Sequence, residues 1–173
     1  MKPPANVSIV LVMIASVAGL PSKAQTPQPD RSSTEEYIIA NLVDYTLREK
    51  DDGVITFFEV WFDGNTLNIH WERTPNDPDY ITTYNMATID LTRVISVEYS
   101  GHESFYKFYP LTIRCSRPCV STQTSSVNGL EEYDSTFWNG RIYLNDKVVA
   151  GRLSNAFAHL LTFMPPVEAD PFD

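Results

Sequence analysis

The chain has 173 residues, with 13 lysines and arginines against 22 aspartates and glutamates, and a net charge of −9. This acidic balance repels phosphate groups, so it argues against nucleic acids and anionic lipid head groups as partners. Glycine is scarce, at 7 residues, and the phosphate-loop, dinucleotide-binding, Gly-x-Ser-x-Gly and His-Glu-x-x-His patterns are absent. The sequence therefore predicts no cofactor and no metal, and it offers no catalytic motif.

The N-terminal segment has the pattern of a secretory signal peptide. Residues 7–20 are apolar and uncharged, and the small residues Ser22 and Ala24 follow at the positions that a signal peptidase reads. About 14 apolar residues are fewer than the roughly 20 that a membrane-spanning helix needs. We therefore expect a signal peptide over 1–24 rather than an anchor, and an exported, soluble protein of the periplasm or the extracellular space.

The two cysteines are Cys115 and Cys119, separated by three residues. In an oxidising compartment, such a pair predicts a disulfide that stabilises the fold. A redox pair and a zinc site are the two alternatives. A redox pair has two intervening residues at the start of a helix, and a zinc site needs two further ligands, whereas the histidines of this chain are scattered.

The mature chain is expected to begin with a flexible lead over 25–33, because this segment is polar and rich in proline. Ser33 and Glu36 have the spacing of a capping box. Apolar residues follow them at near-helical intervals. This pattern predicts a helix over about 34–48.

The period then changes to that of strands. Residues 54–62 are β-branched and aromatic, and residues 66–72 alternate between apolar and polar. Asp63-Gly64-Asn65 between them predicts a hairpin turn. Residues 73–79 contain two prolines and predict a loop.

Further strands are predicted up to residue 144. One or two strands lie within 80–97, with a bend near residues 90–93. Segments 105–115 and 120–127 are expected to pair as a hairpin across the disulfide. A last strand covers about 133–144, with a turn or bulge inside it.

The C-terminal part returns to a helical period. From residue 146 onward, apolar residues fall on one face of a helix that ends near residue 164, before two prolines. Leu153, Phe157 and Leu160 lie in the middle of this apolar stripe and are predicted to be its core anchors. The tail over 167–173 is expected to be loose.

The elements predict a single domain over 34–166. Its class is α+β, an antiparallel β-meander or partly open barrel of six to eight strands, with an N-terminal helix and a C-terminal packing helix. In the last helix, Arg152-Leu153, Ala156-Phe157 and His159-Leu160 resemble a pattern of small exported bacterial proteins of uncharacterised function. A meander followed by one helix resembles the pleckstrin-homology-like fold. These resemblances imply a fold and no chemistry.

Aromatic residues cluster around one predicted strand, and Tyr99, Tyr106 and Phe108 form a candidate interaction surface. Only one face of a strand can enter the core, so the other face is available for a glycan, a peptide or a protein partner. The alternative is that the N-terminal helix covers these aromatic residues.

Histidines offer the other candidate chemistry. His70 lies in a hairpin whose strands also carry Glu59 and Glu72, so a histidine–carboxylate pair is conceivable. A structural or surface role is the interpretation that the sequence favours for these residues. His159, at the edge of the last helix's apolar stripe, is expected to hydrogen-bond a loop.

The leading functional hypothesis is an exported, non-enzymatic interaction or accessory domain, whose partner is an unknown protein, peptide or glycan of the cell envelope. The alternative is a carrier of a small apolar ligand, with a pocket between the sheet and the C-terminal helix. A hydrolase is third. An apolar cavity of several hundred Å³ favours the carrier, an exposed aromatic strip favours the interaction domain, and buried carboxylates around His70 favour the enzyme.

Overall fold

The computed structural model describes residues 28–46, 49–50, 53–77, 81–99, 108–126 and 132–166. The predicted signal peptide over 1–24 and the predicted tail over 167–173 lie outside these ranges. The described elements are, in chain order, α1 (Arg31–Tyr45), β1 (Glu49–Lys50), β2 (Gly53–Asp63), β3 (Thr66–Pro75), β4 (Thr83–Asp90), a 3₁₀ turn (Leu91–Arg93), β5 (Val94–Tyr99), β6 (Tyr109–Cys115), β7 (Val120–Ser126), β8 (Glu132–Phe137), β9 (Asn139–Leu144) and α2 (Lys147–Leu161).

The strands form two antiparallel sheets. The larger sheet has the order β1-β2-β3-β4-β7-β8, and the smaller one has the order β5-β6-β9. An α+β domain with antiparallel strands and a helix at each end is therefore confirmed. The simple meander is wrong, because the chain leaves the large sheet after β4, forms β5 and β6, and returns as β7 beside β4.

The first hairpin has the predicted turn. Gly64 adopts a φ of 56° between β2 and β3, a conformation that costs glycine little because it has no Cβ. β3 continues to Pro75, which pairs with Gly53, so the predicted loop begins later than residue 73. Pro75 is tolerated because it is the last residue of the strand, where its missing N–H interrupts no ladder.

The predicted hairpin across the disulfide is wrong. β6 pairs with β5 and β9 in the small sheet, whereas β7 pairs with β4 and β8 in the large sheet. The short segment between Cys115 and Cys119 is thus a corner between two sheets. The predicted last strand over 133–144 is likewise two strands, with Trp138 at the corner between them.

These corners meet on one side of the molecule. The N–H of Cys115 donates to the carbonyl of Trp138 (3.2 Å), and the N–H of Cys119 donates to the carbonyl of Phe137 (3.1 Å). The N–H of Asp90, just before the 3₁₀ turn between β4 and β5, donates to the carbonyl of Cys119 (2.9 Å). The backbone groups left free where strands end are therefore paired with one another, and the two sheets are joined at this side.

Helix α1 begins earlier than predicted. Its N-cap is Asp30, whose carboxylate accepts a hydrogen bond from the N–H of Ser33 (2.8 Å). Ser33 is therefore inside the helix rather than its cap. Both residues fit the N-cap preference, and the earlier start places Arg31 where its guanidinium donates to the carbonyl of Gly64 and pairs with Glu35 at 2.6 Å.

The two helices pack together over the core. Leu153, Phe157 and Leu160 of α2 are fully buried, and α2 contacts β5 and β6. Ile38 and Leu42 of α1 are also fully buried, and α1 contacts α2 and β2. Within the described ranges, no helix combines the length and the apolar character needed to cross a membrane.

Candidate functional site

The predicted aromatic surface is divided between two ring pairs. Tyr99 contacts Tyr109 with ring centroids 6.4 Å apart, and Phe108 contacts Tyr143 at 6.3 Å. Tyr99 and Phe108 are both half-buried, and Tyr99 packs against the core. Tyr106 lies outside the described residues. The structure therefore places Tyr99 and Phe108 in separate contacts.

His70 and its candidate carboxylates share one face of the large sheet. Glu59 is directly opposite His70 in the β2–β3 register, yet the imidazole ring contacts Phe57, with centroids 5.2 Å apart. A pocket of about 220 Å³ includes His70 and Tyr84 but neither Glu59 nor Glu72. In the described part of the chain, no three or more His, Cys, Asp or Glu side chains form a group that could hold a metal ion.

His159 contacts the N-terminal segment, as the sequence indicated. Its Nε2 donates to the carbonyl of Pro29 at 2.8 Å, and its ring meets Phe163 edge-on at 5.0 Å. The backbone of the predicted flexible lead is thus held against the end of α2 at this point.

A cavity of about 450 Å³ lies between the two sheets. Its floor is the inner face of the large sheet, where alternate residues of β2, β3, β4 and β7 point to the same side. The opposite wall is the edge strand β9, and the end of α1 closes one side. The lining residues are Thr46, Ile55, Phe58, Ile69, Trp71, Ala87, Ile89, Ile113, Val120, Thr122, Phe137, Asn139, Gly140, Arg141, Ile142 and Tyr143.

Residue size helps to explain where the space remains. Ala87 and Thr122 are short side chains opposite each other on β4 and β7 of the floor. At Gly140, by contrast, a Cβ atom would lie 3.2 Å from Cγ2 of Val120, so β9 approaches β7 closely at that point. The larger side chains of Phe58 and Trp71 also line the cavity.

Few polar groups face this apolar space. In the described part of the lining, Arg141 is the single charged residue. The other polar residues there, Thr46, Thr122, Asn139 and Tyr143, carry uncharged side chains. Thr46 is only 9% exposed, and its hydroxyl oxygen has no hydrogen-bond partner among the described residues. Leaving such a group unpaired costs about 1–3 kcal/mol.

Thr46 is held in place by both neighbouring elements. Its N–H donates to the carbonyl of Leu42 at the end of α1 (3.0 Å), and it forms an isolated antiparallel bridge with Leu144 of β9. Next to it, the N–H of Asn145 donates to the carbonyl of Tyr45 (3.0 Å). The end of α1 is thus joined to the end of the strand that forms one cavity wall.

The cavity differs in position from the pocket that the sequence suggested. It lies between the sheets, and no residue of α2 lines it. The alternation of Ile69 and Trp71 did indicate an inward face. However, the strand that covers this face, β9, is separated from it by about 70 residues in the chain, and local periodicity carries no information about such a pairing.

The opposite face of the large sheet carries exposed aromatic residues. Phe57 is 44% and Tyr84 is 41% exposed. Both pair with Glu72 of β3, so they lie in one row across three strands. This aromatic row is a second surface that sequence reasoning did not select.

Comparison with known proteins adds no relative to this picture. No protein-family profile, no curated protein and no solved structure matches the chain. The function is therefore inferred from the geometry of the described residues.

Proposed function

We propose that this chain is an exported, non-enzymatic binding domain that carries a small apolar ligand in the cavity between its two sheets. The observation that supports this proposal is the cavity itself. Its volume of about 450 Å³ falls within the roughly 300–1,000 Å³ of small-molecule sites, and its mostly apolar lining with a few polar groups is typical of them. Cores without ligands are usually packed with few voids larger than a water molecule.

The volume sets the size and the affinity of the ligand. At roughly 30 Å³ per non-hydrogen atom, the volume of a water molecule in the liquid, the cavity holds about 15 such atoms. At about 0.3 kcal/mol per atom, a ligand of this size binds with a Kd on the order of 0.5 mM. Specific contacts would strengthen this value, so a titration should cover the micromolar and millimolar ranges.

A neutral fluorescent probe tests the proposal. N-phenyl-1-naphthylamine fluoresces more strongly in apolar surroundings, and we expect it to bind the purified protein saturably. Thr122→Phe places a ring in the cavity floor and should weaken probe binding at least tenfold. Gln123→Phe is the matched control, because Gln123 is the next residue of β7, is exposed and points to the opposite face.

Circular dichroism and thermal melts establish that both variants are folded before they are compared. Probe fluorescence that does not saturate would contradict the proposal. Equal probe affinities in folded Thr122→Phe and Gln123→Phe would do so as well, since the probe would then bind elsewhere.

The interaction domain is the second candidate, and the exposed aromatic row of Phe57 and Tyr84 favours it. Aromatic side chains contribute much of the binding energy at protein and glycan interfaces. Binding of a cell-envelope protein, peptide or glycan through this face predicts that Phe57→Ser and Tyr84→Ser abolish capture of the partner. The cavity variant Thr122→Phe should leave that capture unchanged.

Export is part of the proposal and has its own test. The Cys115–Cys119 disulfide supports it, because disulfides persist mainly in oxidising compartments. Intact-mass measurement of the protein recovered from outside the cytoplasm should show removal of residues 1–24, with cleavage after Ala24. Exported protein that retains these residues would contradict the signal-peptide prediction.

A relationship to pleckstrin-homology-like domains is proposed for the architecture alone. Two antiparallel sheets with a C-terminal helix packed on the core support it. The placement of β7 beside β4 is the feature that an experimental structure should check, because it separates this connectivity from a meander.

A further inference from the structure

We infer that the occupant of the inter-sheet cavity is a single-chain amphiphile whose carboxylate is bound by Arg141. This inference rests on the proposed function, and it adds the chemical class of the ligand. Among the described residues that line the cavity, Arg141 is the single charged one. No carboxylate of the described residues forms an ion pair with it.

The neighbouring charges leave the guanidinium of Arg141 available. Arg141 pairs with Thr112 of β6, which in turn pairs with Glu98 of β5. Two strand spacings separate Arg141 from Glu98, a backbone distance of about 10 Å. Glu98 is already engaged, since its carboxylate accepts from the Ser96 hydroxyl at 2.8 Å and lies 3.6 Å from the guanidinium of Arg114.

The charge of Arg141 and the apolar lining of the cavity together specify an amphiphile. Arg141 is an exposed residue of the cavity lining. A guanidinium binds a carboxylate through two parallel hydrogen bonds. Elsewhere in the lining, the side chains of Ile142, Phe58 and Trp71 offer apolar surface to a hydrocarbon chain. A purely apolar ligand would leave the charge of Arg141 unused, and a cationic ligand would be repelled by it.

The net charge of the protein opposes this attraction at long range, because at −9 the chain as a whole repels anions. This acidity argues against anionic membrane surfaces, whereas a single carboxylate needs only the short-range attraction of Arg141. The space for about 15 non-hydrogen atoms corresponds to a straight-chain carboxylate of roughly ten to fourteen carbons.

Displacement of the bound neutral probe by three ten-carbon compounds tests the inference. Decanoate, decan-1-ol and decylammonium share one hydrocarbon chain and differ in the charge of the head group. We expect Arg141→Gln to weaken displacement by decanoate about tenfold and to leave displacement by decan-1-ol unchanged. Decylammonium should be the weakest competitor of the wild-type protein.

Arg114→Gln is the matched control. Arg114 is exposed, lies on the neighbouring strand β6 and does not line the cavity, so this variant should bind all three compounds like the wild type. Added salt should weaken decanoate and not decan-1-ol, because only the charged pair is screened.

The outcomes separate this inference from the proposed function. If the probe and decan-1-ol bind but Arg141→Gln leaves the decanoate-to-decanol ratio unchanged, the carboxylate assignment is overturned and the apolar carrier stands. If decylammonium binds as tightly as decanoate, the carboxylate assignment is likewise overturned and the apolar carrier stands. If neither the probe nor any of the three compounds binds, both are overturned.

Discussion

The burial of Phe157 in α2 leads to the most decisive stability prediction. The side chain is 0% exposed, and aromatic side chains bury about 150–250 Å² each. Phe157→Ala forfeits about 100–150 Å² of that area, which corresponds to about 2.5–4 kcal/mol at the usual coefficient. The cavity left behind adds to this loss, so the free energy of unfolding should fall by about 3–5 kcal/mol.

Because of the position of α2, the loss of packing at Phe157 also affects the elements that contact this helix. α1 packs on α2, and α2 covers the small sheet, so loosening of one contact weakens three elements. A domain of this size has a total stability of about 5–15 kcal/mol. If Phe157→Ala does not fold, Phe157→Leu keeps most of the volume and should cost under about 2 kcal/mol.

Urea unfolding followed by circular dichroism measures these changes. Asn155→Ala is the matched control, because Asn155 is an exposed residue of the same helix and its replacement should cost under about 0.5 kcal/mol. A change below about 1 kcal/mol for Phe157→Ala, or equal changes for the alanine variants at 155 and 157, would show that α2 does not pack on the core as described.

Three further predictions concern single interactions. Thr46→Val removes the unpaired buried hydroxyl and should leave the free energy of unfolding unchanged or raise it by about 1 kcal/mol. Thr34→Val removes a hydroxyl that donates to the carbonyl of Asp30 at 2.7 Å, so it should lower the free energy of unfolding by about 1 kcal/mol. Equal effects of the two variants in urea melts would contradict this prediction. Replacing both Cys115 and Cys119 with alanine should lower the free energy of unfolding by about 2 kcal/mol, because the disulfide restricts the chain entropy of the unfolded state over a short loop. An unchanged melt would refute this prediction. Hydrogen bonds from the backbone N–H and then the hydroxyl of Ser33 lower the pKa of the Asp30 carboxyl from its ordinary value of 3.8. The stabilisation of the fold by the ionised Asp30 carboxylate should therefore be complete above about pH 3.8 and be lost as the pH falls through the lower pKa of the folded state. Asp30→Asn lacks this titration. If the difference in stability between this variant and the wild type does not change with pH in the acid range, the result would count against the N-cap.

Several features could be predicted from the sequence because their causes are local. The hairpin turn depends on Gly64, whose positive φ is inexpensive only without a Cβ. The bend after β4 was predicted at residues 90–93, where the carboxylate of Asp90 accepts from the N–H and the hydroxyl of Thr92. The apolar stripe of the last helix, with Phe157 at its centre, and the pairing of the two cysteines also follow from spacing over a few residues.

Other features were misjudged where two local patterns competed. Asp30 and Ser33 both fit an N-cap, and contacts of Arg31 with the distant turn at Gly64 accompany the earlier start. The strand β3 continues to Pro75 because its partner β2 is long enough to pair with it. In both cases, the deciding interaction joins residues that are remote in the sequence.

The sequence by itself determined where most of the helices and strands lie, which face of each is apolar, and that two cysteines lie close enough to bond. The tertiary structure alone decided which strands are neighbours, where the chain crosses between sheets, and that Arg141 lies beside an apolar cavity. The physical reason is that periodicity records whether a side chain is buried, whereas the identity of what buries it depends on contacts between distant segments. A corner between sheets and a hairpin have the same local pattern, and only their long-range hydrogen bonds differ.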